Sequence, residues 1–258
     1  MHIYFHILGL NIPSYGLMIA TGVVLANIIA AILIHFTKQS FDELLVLEGY
    51  GLLGGFLGAK GLYLLVSFRE IEWNRLFEPG YFNEVMQSGF VFYGGFILGV
   101  AFVLLAGKIH HIPICPFLEN FAFLIPFAHG FGRLGCYLAG CCYGRPYDGL
   151  GAVVFPEESV APAGISLFPI QLVEMCCLFA ISFAMFLVRY VWKKDFAPEL
   201  YLVLYGITRF VLEYFRYDEE RGAFLWFSTS QWISIGMLVV AFIFCVMKRR
   251  KTRGKSRG

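Results

Sequence analysis

Seven stretches of the chain are almost unbroken apolar runs, near residues 13–36, 42–66, 91–107, 117–138, 169–192, 199–216 and 230–247. A helix needs about 20 such residues to cross a hydrocarbon core of ~30 Å, and fewer where protein lines it. The pattern therefore predicts an all-α, polytopic integral membrane protein of about seven transmembrane helices. The longer connections, 67–90 and 139–168, carry proline, glycine and mixed charges, as loops do. No internal repeat interrupts the run of spans, and the single biased segment is a basic tail.

Composition strengthens this reading. Apolar residues make up 59% of the 258 residues and charged residues 15%, with a mean hydropathy of +0.70. A soluble domain of this length needs more polar surface to cover its core. The whole of 1–247 reads as one transmembrane helical domain, and 248–258 as a basic cytoplasmic tail. The first residues lack both a basic region and a small-x-small cleavage site, so the first span is expected to stay in the mature protein.

Net charge is only +2, and its distribution sets the orientation. With an odd number of spans, Lys38, Lys108, Arg189, Lys193, Lys194 and the tail fall on one side. Arg69, Arg75, Arg145, Arg216 and Arg221 fall on the other. Twelve basic residues against five put the C-terminus in the cytoplasm and the N-terminus outside. Beside a span, the tail is a membrane anchor and not a nucleic-acid arm.

Against this apolar background, ionisable residues at membrane depth require a partner, a wet cavity or a function. Tyr205, Arg209, Glu213 and Arg216 are spaced by four, four and three, one face of a helix. An intrahelical Arg209–Glu213 pair that neutralises itself is the plain reading. It leaves Tyr205 and a second arginine on the same stripe without a reason. An anionic head-group site explains all four, because guanidinium binds phosphate in a planar, bidentate way.

His129, Arg133, Cys136 and Gly140 repeat that spacing among glycines at 130, 132 and 135. Such glycines also serve simple helix packing, and a single histidine is often structural. An arginine on that face is harder to dismiss, and His129 is the side chain there able to exchange a proton near neutral pH. Tyr93 before Gly94-Gly95, together with Tyr15 and Lys60, adds polar groups to other spans. Cys136, Cys141 and Cys142 form C-x4-C-C. With no C-x2-C pair and no histidine at ligand spacing, a zinc site is not expected, and no cofactor is.

These residues carry a resemblance. Tyr-Gly-Leu-Met at 15–18, Phe-Leu-Gly-Ala-Lys at 56–60 and an aromatic before Gly94-Gly95 come in order. Gly-Arg-Leu-Gly at 132–135, Pro169-x-Gln171-x-x-Glu174 and Tyr-Gly-x-x-Arg-x-x-x-Glu-Tyr-Phe-Arg at 205–216 follow. The chain thus resembles bacterial prolipoprotein diacylglyceryl transferases over nearly its whole length. The resemblance implies a multi-pass enzyme of the bacterial cytoplasmic (inner) membrane. Such an enzyme moves diacylglyceryl from phosphatidylglycerol to the lipobox cysteine of a prolipoprotein signal peptide and releases glycerol phosphate. It implies catalytic roles for Arg133, Arg209 and Glu213, and substrate-binding roles for Tyr15, Gly144 and Tyr205.

The chain departs from the family pattern at four of these positions. Tyr93 stands where the family has histidine, Cys136 where it has asparagine, Cys141 where it has glutamate, and Lys60 where it has arginine. His129 or Tyr93 is then expected to take the proton of the acceptor, while Lys60 and Cys136 join the substrate site. Two other readings stay open. One keeps the phospholipid donor but changes the acceptor. The other is a non-catalytic lipid transporter, which broken glycine-rich helices suit but which the lack of a repeat between halves disfavours.

Overall fold

The computed structural model describes residues 3–7, 9–87, 89–195, 197–217, 223–224 and 227–255. All seven apolar stretches form helix. Four of the helices, Ser14–Ile34, Phe41–Val66, Ile170–Val191 and Thr229–Met247, are each long and apolar enough to cross a membrane. A bent pair makes a fifth candidate if it counts as one span. Contacts divide the chain into two units, Met1–Leu33 with Leu118–Gly258, and Ile34–Phe117.

The first unit begins with a hairpin, β1 (Tyr4–Ile7) and β2 (Leu10–Pro13), in antiparallel register with Tyr4 opposite Pro13. Helix α1 (Ser14–Ile34) follows directly.

In the second unit, α2 (Phe41–Val66), the short α3 (Pro79–Gln87) and α4 (Phe92–Ile109) follow one another. Helices α2 and α4 meet along glycines. A Cβ on Gly54 would lie 2.6 Å from the Leu98 carbonyl oxygen, and one on Gly95 would lie 2.8 Å from the Gly55 carbonyl oxygen. Lipid tails are as apolar as side chains, so such backbone contact replaces the hydrophobic drive available in water. The 67–90 connection holds a single 3-10 turn, Trp73–Arg75, as well as α3. Arg75 in it pairs with Glu72 and Glu78, each at 3.2 Å.

The division between units falls within α5 (Ile114–Phe121). The sequence predicts one span over 117–138, but α5 and α6 (Leu124–Ala139) are bent by 58° at the break between them. Pro126 supplies the reason: it has no N–H to give, and its ring crowds the carbonyl four residues earlier, at Ala122. Helix α6 then packs on α1 through Gly22, where a Cβ would lie 2.7 Å from Phe131 Cβ, and on α7 (Ile170–Phe186) through Gly130. The last turn of α7 widens to a π-turn over Leu187–Val191.

Two hairpin-like strand pairs complete the unit. Strands β3 (Val153–Val154) and β4 (Ser166–Leu167) lie in the 139–168 loop, around a small core of Phe155, Ala161 and Leu167. Helix α8 (Ala197–Leu212) leads to β5 (Ala223–Phe224), β6 (Phe227–Ser228) and α9 (Thr229–Lys255). The backbone of residues 248–255 continues as helix in α9, while 256–258, Arg221 and the start of the chain at 1–2 lie outside the described residues.

Candidate functional site

The buried charge of the first unit collects on α6, α7 and α8. Glu174 is the centre: it stands one turn into α7, and its side chain is 1% exposed. Arg133 of α6 reaches its Oε1 at 3.0 Å, and Arg216 stands 3.9 Å from its Oε2. The Tyr205 hydroxyl donates to the same carboxylate at 3.4 Å. The His129 ring sits edge-on to Tyr205, with centroids 5.5 Å apart, and Tyr201 stacks on the same tyrosine. One carboxylate thus orients two arginines and a tyrosine from three elements.

A second group lies one turn along α8. Arg209 Nη2 pairs with Glu213 Oε2 at 2.6 Å and donates to Ser230 Oγ at 2.9 Å. The Ser228 hydroxyl donates to Glu213 Oε1 at 2.9 Å. Arg209 is within Coulombic reach of Glu174, which joins the two groups electrostatically. Among the described residues, three guanidiniums therefore face two carboxylates, an excess of positive charge in a buried place. Among the described residues, two buried donors of this site, Arg133 Nε and Arg209 Nη1, have no hydrogen-bond partner. Buried donors are normally satisfied, so both are open to an acceptor, and an anion's oxygens suit guanidinium.

The stripe expected on one helix is broken in the structure. Helix α8 ends at Leu212, Glu213–Phe215 form a 3-10 turn, and Arg216 is extended. Arg216 reaches Glu174 all the same, because a bridge to Gly144 and the Arg145 N–H···O=C Phe215 bond of 3.0 Å tie that strand to the 139–168 loop. Gly144 is needed there: an added Cβ would run into the Phe168 carbonyl and lie 3.0 Å from the Phe215 carbonyl oxygen.

Helix α6 ends in a Schellman cap. Gly140 takes φ 70°, its N–H meets the Tyr137 carbonyl at 3.3 Å, and the Cys141 N–H meets the Cys136 carbonyl at 3.0 Å. Cys142 is also left-handed, at φ 55°. Hydrogen bonds from the Cys136 and Cys141 thiols, aided by the Arg216 and Arg133 guanidiniums, hold the Cys142 thiol below the usual thiol range. Tyr15, at the start of α1, is within Coulombic reach of these thiols and of Arg133. Its backbone abuts Gly135, where a Cβ would lie 3.0 Å from Tyr15 Cα.

The first unit thus brings together His129, Arg133, Cys136, Tyr205, Arg209 and Glu213, with Tyr15 and Gly144 beside them. Tyr93 and Lys60 belong to the second unit. There Lys60 is buried, donates to the Val85 carbonyl and lies 4.6 Å from the Tyr63 ring centroid. Tyr93 opens α4. The candidates drawn from the sequence omit Glu174, Ser228 and Ser230. Glu174 had a signal, an acidic residue inside an otherwise apolar span. The serines had none, since their role depends on where the β6–α9 junction falls.

A family profile described as prolipoprotein diacylglyceryl transferase matches residues 2–247. A phosphatidylglycerol–prolipoprotein diacylglyceryl transferase of Clostridium tetani is 34% identical over 96% of this chain and 98% of its own length. One of Clostridium perfringens is 33% identical over 96% and 95%, and one of Mannheimia succiniciproducens 28% over 94% and 90%. The chain belongs to the prolipoprotein diacylglyceryl transferase family.

Proposed function

We propose that this protein transfers the diacylglyceryl group of phosphatidylglycerol to the lipobox cysteine thiol of prolipoproteins and releases glycerol phosphate. We place it in the bacterial cytoplasmic membrane, crossing it about seven times with the N-terminus outside and the C-terminus in the cytoplasm. The observation that carries the reading is, among the described residues, the excess of buried guanidinium over carboxylate with two unsatisfied donors, Arg133 Nε and Arg209 Nη1. A phosphodiester supplies the negative charge and the acceptors that such a site lacks.

Arg133 and Arg209 then hold the phosphodiester between them. Glu174 fixes Arg133 from behind, and Glu213 with Ser230 fixes Arg209, so neither guanidinium has to reorganise as charge moves onto the phosphate. The sulfur–carbon bond forms as the bond between the diacylglyceryl carbon and the phosphate oxygen breaks. The thiol proton passes to His129, and the glycerol phosphate leaves as an anion against the two arginines. Tyr205, Tyr15, Cys136 and Gly144 complete the donor site in this reading.

A different acceptor on the same donor site is the alternative, and it rests on the replaced positions Tyr93, Cys136 and Cys141. One experiment separates the two. A synthetic lipobox peptide is incubated with the protein in phosphatidylglycerol nanodiscs, beside a peptide with serine in place of the cysteine. Mass spectrometry shows a diacylglyceryl adduct on the cysteine peptide alone if the proposal holds. No adduct from folded protein removes this acceptor.

A further inference from the structure

The three cysteines of C-x4-C-C converge, although no metal-binding spacing announces it. The sulfur atoms of Cys136, Cys141 and Cys142 all lie within 4.8 Å of one another. The convergence follows from backbone rules. The Schellman cap closes six residues, so Cys141 is drawn back over Cys136, and the left-handed Cys142 turns its side chain toward the same point. Gln171 Nε2 donates to the Cys141 carbonyl at 2.8 Å and pins the loop to α7.

We propose that Cys136, Cys141 and Cys142 form a three-coordinate thiolate site for a soft monovalent cation of the Cu+ type. Soft thiolate ligands select such ions over the hard cations that carboxylates hold. Three ligands also set the site apart from structural zinc. Among the described residues no fourth histidine, cysteine or carboxylate joins the group, whereas structural zinc sites are almost always four-coordinate. Three thiolates around a monovalent ion carry a net charge of −2, and the Arg133 and Arg216 guanidiniums lie within Coulombic reach of Cys142 to offset it. Thiols still protonated give up their protons to solvent as they bind, so uptake of the ion releases acid. All three cysteines are free thiols in the structure. Cys136 is buried, and the other two are half-buried on the loop beyond α6, where an ion has access.

The test uses the full chain in detergent, reduced and kept anaerobic, titrated with Cu+ against the chromophoric chelator bathocuproine disulfonate. One Cu+ per chain should be withdrawn from the chelator, and X-ray absorption should show three sulfur neighbours. Cys136→Ser, Cys141→Ser and Cys142→Ser should each weaken binding at least about ten-fold, the lower bound found even for partners outside a metal's ligand shell. Cys176→Ser and Cys177→Ser should leave it unchanged. Should Cys136→Ser fail to fold, the two loop variants carry the test, each checked by its thermal midpoint without metal. Failure to compete with the chelator overturns the proposal, as do two-sulfur coordination, binding that survives all three substitutions, or a disulfide among these cysteines in the anaerobic protein.

Discussion

The α2–α4 seam and the Glu174 cluster solve opposite problems with residues that an apolar helix would otherwise exclude. In the seam, glycines remove side chains until backbone meets backbone, as at Gly54 and Leu98. In the cluster, Glu174 and its arginines add charge where no water repays it. The seam needs nothing from outside to be satisfied. The cluster, with three guanidiniums against two carboxylates among the described residues and two donors left over, has hydrogen-bonding capacity to offer an anion. Departures from apolar character at membrane depth therefore fall into two kinds, and the hydrogen-bond balance tells them apart.

Substitutions sharpen that division. Glu174→Leu should have the largest effect, because it leaves Arg133 and Arg216 buried without their carboxylate. A loss of about 3–5 kcal/mol is the usual consequence of breaking a buried pair, and the thermal midpoint in detergent and the transfer rate should fall together. Gly54→Val should cost about 1–3 kcal/mol by overpacking the seam, while phosphatidylglycerol KM in the folded fraction stays that of the parent. A KM change there would blur the distinction between the regions. Gly140→Ala places a side chain at φ 70° and should destabilise by about 1 kcal/mol, read from the same midpoint. Arg75→Ala removes exposed pairs with Glu72 and Glu78 and a cation–π contact with Tyr81 at 4.9 Å. It should shift neither the midpoint nor the activity, since such pairs contribute little.

Much of this arrangement is legible in the sequence, for identifiable reasons. Helices follow from apolar runs that leave no other way to satisfy the backbone in lipid, so all seven stretches are helical. Arg133, Arg209 and Glu213 stand out because charge in such runs demands a partner. The bend between α5 and α6 is harder to read, since proline is tolerated in membrane helices and the apolar pattern continues through Pro126. Arg216 keeps its place in the cluster only because a 3-10 turn and a bridge to Gly144 carry it there, and side-chain periodicity encodes neither. The meeting of three thiols depends on a helix cap that Gly140 announces, but whose closure brings together residues that spacing rules for metals do not pair.

The central claim is that Arg133 and Arg209 grip the phosphodiester of the lipid donor. Its most direct test is the rate of lipobox-peptide transfer in phosphatidylglycerol nanodiscs, measured for the parent, Arg133→Gln and Arg209→Gln at equal folded protein. The account predicts a drop of about 10²–10³ in kcat for each, the usual effect of losing one donor to transition-state charge. Transfer at the parental rate in either variant would contradict it.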